Sequence, residues 1–371
     1  MIDKDRLLAC FLELVRIDSL TFNEKKLVDH LADKLTAIGW QVKIDGAGAK
    51  IGGDTGNLIA HRPGNKAKPA IFFSCHLDTV EPGVGIEPVV VDGVVSAKGD
   101  TVLGADDKAG IAAVMEMAQV IVADPGEVGP IDIVFTVGEE KGLLGAKNLD
   151  WRMVTGRCGF VLDAAGMVGD ITIVAPWQNT VNAVFFGKAS HAGVSPETGV
   201  SAIQAAARAI ETMPLGRRDR ETTANIGIIQ GGRAPNIIPD KAEIKGEARS
   251  LKISKLNRQT DRMAQAANRA AKAFGATVEV DIAREYDGFK LSLKDEVVVW
   301  AGRALESIGV KPAYAATGGG SDTNVFNSQS VSTVNLGVGY MDPHTTSESI
   351  SVDQLTLAAR LAVAIARVAG S

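Results

Sequence analysis

The chain has 371 residues, 46% hydrophobic and 22% charged, with a formal net charge of −5, the make-up of a folded water-soluble protein long enough for two cores. The negative balance argues against a nucleic-acid-binding protein, which needs a basic face. No apolar run reaches membrane-span length, the amphipathic start MIDKDRLLACFLELVRIDSL is unlike an export signal, and the odd set Cys10, Cys75 and Cys158 without CxxC spacing points to a cytoplasmic chain without a disulfide framework.

In chain order, apolar positions at helical spacing predict helices over 3–16 and 23–38, with Thr21 and Asn23 as caps between them. Short β-rich runs follow, among them NLIAHRP and AIFFSCHLD. The stretch DKAGIAAVMEMAQVIVA from Asp107 reads as a buried helix. IDIVFTVGEE and GFVLDAAG are apolar runs that each end in acids, VSTVNLGVG is a similar strand, and 352–368 is an amphipathic helix. Strands interleaved with helices predict an α/β domain with a mainly parallel sheet.

The middle of the chain differs. TVNAVFFGK, VSAIQAAARAIETM, ANIGIIQGG, KAEIKGEARS, LNRQTDRMAQAANRAAKAF and TVEVDIAREY read as β-α-β-β-α-β, the ferredoxin-like order. This α+β unit interrupts the first domain. The expected division is 1–178 and 288–371 for the larger domain and 179–287 for the inserted one.

Chemistry-bearing residues recur just after the predicted strands. His76 and Asp78 follow AIFFSC, Glu139 and Glu140 follow IDIVFTVG, Asp163 ends GFVL, and His344 comes soon after VSTVNLGVG. Asp106 opens the helix after the Gly104-Ala105 turn. Taken singly, each has an ordinary reading as a surface pair, a solvated acid or a cap. Jointly they converge on the crevice outside the carboxyl ends of the strands, where open α/β sheets bind ligands. Two imidazoles with several carboxylates suit zinc, manganese or cobalt. One ion needs only some of these ligands; two ions about 3.5–4 Å apart use them all, with one carboxylate shared.

At this point the strings SCHLDTV, GADDKAG, VGEEKGLLGAKNL, FVLDAAG, GKASHAG and PHTTSE, in this order and spread over nearly the whole chain, resemble the M20 metallopeptidases, and within them the peptidase T-like branch. The resemblance implies a catalytic α/β domain interrupted by a smaller lid or dimerisation domain, and so a possible homodimer. It implies that His76 and Asp163 bind one divalent ion, Glu140 and His344 the other, and Asp106 both, with a cis peptide bond after Asp106. Asp78 would orient His76 through its second ring nitrogen, and Glu139 would be the general base.

The resemblance also assigns roles in the inserted domain. His191, in GKASHAG, is similar to a histidine that donates to the oxyanion, in its own or a partner's site. Asn236 and Arg249 resemble residues that hold the substrate carboxylate, with Arg233 as a helper or only a surface charge. Gly319 and Gly320, in TGGGSDTN, resemble a glycine loop whose backbone approaches substrate. Cys75 reads as a core residue rather than a ligand. The implied reaction is hydrolysis of the N-terminal peptide bond of short peptides, as in a tripeptide aminopeptidase. A dipeptidase, an N-acyl-amino-acid amidohydrolase and a non-catalytic metal-binding protein are the alternatives.

Overall fold

The computed structural model describes residues 1–370. The chain divides into two compact units, one formed by Met1–Ile173, Lys290–Ala316 and Ser321–Ser371, the other by Val174–Phe289 with Thr317–Gly320. The division falls at 173/174, a few residues before the 178/179 expected from the sequence, and the short glycine stretch goes with the inserted unit.

The first unit is built on a nine-stranded sheet that runs in the order Gln41–Ile44, Leu58–Arg62, Ile131–Thr136, Ile71–His76, Cys158–Ala164, Ser332–Gly337, Asp170–Ala175, Phe289–Lys290, with Ala313–Ala316 pairing Asp170–Ala175 off this path. The four strands from Ile131–Thr136 to Ser332–Gly337 are mutually parallel, and antiparallel pairs flank them on both sides. The parallel strands carry Val, Ile, Leu and Phe on both faces because helices cover both. Helix Ala105–Ala123 is apolar all round and correspondingly buried. It packs on Ile71–His76 and against helices Lys4–Val15 and Val352–Val368.

A second, four-stranded sheet of this unit was not foreseen. It joins Glu87–Val91, Val94–Lys98, Ser349–Ser351 and Tyr340–Met341. Its hairpin turns at Asp92 and Gly93, both with positive φ (49° and 77°), the conformation that an Asp-Gly pair between two strands favours. That signal stands in VVVDGVV. Among the described residues no helix is long and apolar enough to cross a membrane, and the three cysteines are free.

The inserted unit has the expected order of elements. Its main strands lie in the order Thr222–Gly231, Lys241–Ser250, Trp177–Phe186, Thr277–Tyr286, all antiparallel. Trp177–Phe186 alternates buried and half-exposed side chains along most of its length, as a sheet covered on one face requires. The covering helices, Ala202–Thr212 and Ile253–Phe274, meet the sheet and each other through alanines, including Ala205, Ala209, Ala266 and Ala270. Small side chains there let the two helices approach closely.

Candidate metal centre

His76 closes a strand that is buried along its whole length, so its ring leaves the sheet at the carboxyl end with 2% exposure. Its Nε2 lies 3.1 Å from Oδ1 of Asp106 and 3.8 Å from Oδ1 of Asp163. Nε2 of His344 lies 3.2 Å from Oδ2 of Asp106 and 2.8 Å from Oε1 of Glu140. Asp106 therefore presents one oxygen to each imidazole. The five side chains named from the sequence as ligands meet at one place.

Local backbone geometry makes this possible. Asp106 (φ −82°, ψ 100°) and Asp107 (φ −119°, ψ 25°) depart from helical angles at the start of Ala105–Ala123, and the bond between them is cis. Asp106 reaches the imidazoles, whereas Oδ2 of Asp107 accepts the main-chain N–H of His76 at 3.2 Å. Oδ1 of Asp107 is buried without a hydrogen-bond partner. Ligand atoms of His76, Asp106 and Glu140 fall within 4.8 Å of one another, as do those of His76, Asp107 and Asp163. His344 stands in a loop at φ 63° and its side chain is half exposed, more open than the other four.

The acidic loop after Ile131–Thr136 is pinned through its backbone. The N–H groups of Gly138, Glu139 and Glu140 donate in turn to Oε1 of Glu24 at 2.9 Å, Oδ1 of Asp78 at 2.9 Å and Oδ2 of Asp78 at 3.2 Å. Oγ1 of Thr21 donates to Oδ2 of Asp78 at 2.7 Å. Thr21 is thus not a helix cap. Helix Lys25–Ala37 begins after Glu24 with no side-chain cap, and Asn23 reaches only the carbonyl of Thr21, at 3.4 Å. The Asp78 carboxylate, already engaged by the loop, stands 3.6 Å from Nδ1 of His76. Nδ1 instead meets the main-chain oxygen of Asp78 at 2.8 Å. The partner residue expected for the ring is present, but the contact runs through its backbone.

Residues not named from the sequence as ligands complete the surroundings. Glu348 accepts N–H groups from Gly104 and Asp106. Oη of Tyr340 donates to Oδ1 of Asp163 at 3.4 Å. Thr136 donates to the buried Asp322 at 2.5 Å. Lys108, fully buried, donates to the carbonyl of Ile17. Cys75 is a buried core residue.

Crowding sets the electrostatics. Burial, reinforced by neighbouring acids, holds the carboxyls of Glu139, Asp163 and Asp107 well above the usual range. Hydrogen bonds to Asp106 and Glu140 push His344 up to about 10. In their ionised forms Asp106, Asp107, Glu139, Glu140 and Asp163 would together carry more negative charge than two imidazoles offset, which is why burial favours the protonated form of three of them. Unpaired buried charge is costly, and divalent cations relieve it. Two imidazole nitrogens with carboxylates on either side of a shared one fit a pair of such ions.

In the inserted unit, His191 and Asn236 are brought together. His191 bridges to Ile237 as an isolated antiparallel pair, and the N–H of Ala192 donates to the carbonyl of Asn236 at 3.0 Å. Both side chains are exposed. Arg249 is already engaged. Its Nε and Nη2 donate to Oε1 and Oε2 of Glu247 at 2.9 and 3.0 Å, and Gln178 donates to the same Oε2 at 2.8 Å. Arg233 pairs with Asp240 at the surface. Gly320 packs on the ring of Tyr286, where an added Cβ would lie 2.2 Å from Cζ. The close approach at Gly320 is therefore to this chain's own tyrosine, while a Cβ at Gly319 would make only an ordinary contact, 3.7 Å from Oγ1 of Thr317.

Comparison with known proteins agrees with this architecture. Residues 179–274 match the peptidase dimerisation domain, M20_dimer. The uncharacterized protein YqjE of Bacillus subtilis is 46% identical over 365 residues, 98% of each chain. The structure of aminopeptidase PepT from Bacillus cereus superposes with a TM-score of 0.89 at 45% identity, covering all of both chains. A tripeptidase from Staphylococcus aureus superposes with a TM-score of 0.94 at 39% identity, again over both whole chains. With this fold and this extent of identity, the chain belongs to the M20 peptidase family, in its peptidase T-like branch.

Proposed function

We propose that this chain is a two-metal peptidase that removes the N-terminal residue of short peptides, as a tripeptide aminopeptidase does. The observation that carries the metal reading is Asp106, whose two carboxylate oxygens face His76 and His344 separately, at 3.1 and 3.2 Å. His76 and Asp163 would hold one ion, Glu140 and His344 the other, and Asp106 both. Zinc suits this donor set, as do manganese and cobalt. When bound, such a pair polarises a carbonyl oxygen and makes a water acidic enough to attack it.

The chain's own residues supply the rest. Glu139 takes a proton from the attacking water and passes it to the leaving amine. The high proton affinity that burial confers on its carboxyl suits that role, and the hold of Asp78 on its N–H fixes its place. Asp78 and Thr21 position the loop rather than react. His191 is the proposed donor to the developing oxyanion, and Asn236 and Arg249 the proposed contacts to the substrate carboxylate, beside the Gly319-Gly320 stretch.

The choice of an N-terminal exopeptidase is supported by the aminopeptidase and tripeptidase relatives. The match of 179–274 to a dimerisation domain supports a homodimer formed through the inserted unit. The free cysteines support a cytoplasmic setting. The deciding experiment is peptide kinetics at defined metal loading with Ala-Ala-Ala, Ala-Ala and N-acetyl-Ala-Ala-Ala. Turnover of the free tripeptide that is lost on chelation and restored by metal is expected. Preferred cleavage of the acetylated peptide would replace the aminopeptidase reading by an amidohydrolase, and preferred cleavage of Ala-Ala by a dipeptidase. Full turnover after exhaustive chelation would remove the two-metal reading.

A further inference from the structure

Gly104 begins helix Ala105–Ala123 without a side chain to cap it, so the first N–H groups of the helix need acceptors from elsewhere. They come from the far end of the chain. Oε2 of Glu348 accepts the N–H of Gly104 at 2.7 Å and Oε1 accepts the N–H of Asp106 at 2.9 Å. Glu348 is 1% exposed. Charge-assisted hydrogen bonds to backbone N–H groups are short and strong, and two of them on residues two apart fix this segment in direction as well as position.

We propose that Glu348 is a positioning residue of the metal centre, which holds Asp106 with one carboxylate oxygen toward each imidazole. The proposal rests on the reading of Asp106 as the shared ligand. Glu348 directly precedes strand Ser349–Ser351, whose residues pair with Ser96, Val95 and Val94, so its carboxylate is presented from a fixed element. Four positions earlier in the same loop, His344 reaches Oδ2 of Asp106 at 3.2 Å. A single C-terminal loop thus grips Asp106 at its main-chain N–H and at its side chain. Asp106 has non-helical angles, so the bond to its N–H does more than continue a helix; it sets where the side chain points.

The test uses full-length Glu348→Ala and Glu348→Gln. Zinc content after gel filtration, zinc affinity by chelator competition, melting of the metal-free protein, and kcat and KM on a tripeptide are compared with wild type. Loss of a group that supports a ligand weakens zinc binding by about 10- to 100-fold, with kcat reduced at limiting zinc and KM unchanged. Glu348→Gln keeps one acceptor oxygen and turns its amide NH2 toward the other N–H, so an intermediate loss is expected. Wild-type zinc affinity in the folded variants, even with a lowered melting temperature, overturns the proposal and leaves Glu348 a helix cap. If the alanine variant does not fold, the glutamine variant decides alone. Asp106→Asn serves as the control. Undiminished binding of two zinc ions there would overturn the shared-ligand reading itself, whereas its loss alongside normal Glu348 variants would overturn only the positioning role.

Discussion

The main-chain N–H of Glu139 donates to Oδ1 of Asp78 at 2.9 Å, and the next N–H in the chain donates to the other oxygen of the same carboxylate. One buried acid therefore sets the place of both the proposed base and its neighbouring ligand. Asp78→Asn leaves one of these N–H groups facing an amide NH2. Zinc affinity and kcat are both expected to fall, each by about 10- to 100-fold. Chelator competition and steady-state kinetics check this; a variant that loses neither would detach Asp78 from the site.

Glu139→Gln separates chemistry from binding. It keeps the backbone bond to Asp78 and removes the proton acceptor. Metal content is expected to stay at the wild-type level while kcat drops about 100- to 10,000-fold. Near-normal turnover would move the base to another residue.

Metal uptake is expected to follow pH. In the metal-free chain, His344 beside Asp106 and Glu140 holds its proton up to about 10, above its ordinary value of 6.5. The pairing contributes stability that is fully present below the unfolded value and is lost as pH rises through the folded one. A metal needs the neutral ring and must displace that proton. Zinc affinity therefore rises between pH 6 and 9, by up to about tenfold per unit for each proton displaced. Titration calorimetry in buffers of different ionisation enthalpy counts the protons. An affinity flat over this range would contradict the assignment of His344.

Glu24 is buried, and burial pushes its carboxyl from 4.5 up to about 7. The unfolded chain releases this proton earlier, so the folded state binds more protons between these values and loses stability as pH rises through them. The full effect is roughly 3 kcal/mol. Glu24→Gln retains an oxygen for the N–H of Gly138 and cannot ionise. Its melting temperature relative to wild type is expected to climb from pH 4.5 to 7 and then level off.

Glu247 occupies two of the donor groups by which Arg249 was expected to hold a substrate carboxylate. Glu247→Gln frees part of that charge. KM for a tripeptide with a free C-terminus is expected to fall several-fold, with KM for its C-terminal amide unchanged. Equal effects on both peptides would argue that Arg249 does not read the carboxylate.

Much of this was legible in the residues themselves. Parallel strands such as AIFFSC end where their apolar run meets a polar group, so His76, Glu139, Glu140 and Asp163 could be placed at one edge of a sheet. The alternating strands and alanine-rich helices of the inserted unit announced their order in the same way. Side chains that act across the chain were not legible. Thr21 has the type and position of a cap, and nothing near it in sequence reveals the carboxylate of Asp78. Glu24 looks like a surface acid and Glu348 only closes the string PHTTSE; their partners, Gly138 and Gly104, are 114 and 244 residues away. Arg249 has the type of a free carboxylate grip, and spacing does not specify the side-chain directions that pair it with Glu247, whose carboxylate Gln178 also holds.

Strand Ser332–Gly337 lies inside the sheet, between Cys158–Ala164 and Asp170–Ala175. A ribosome makes both neighbours long before it makes the strand that separates them. Until Ser332–Gly337 has been made, these two neighbours lack the strand that pairs with both of them, and their facing edges have no partner in this sheet. The inserted unit, nearly continuous in sequence, has almost all it needs to fold in that interval. His344 follows Ser332–Gly337 in sequence, so the proposed set of metal donors is complete only after that strand has been made.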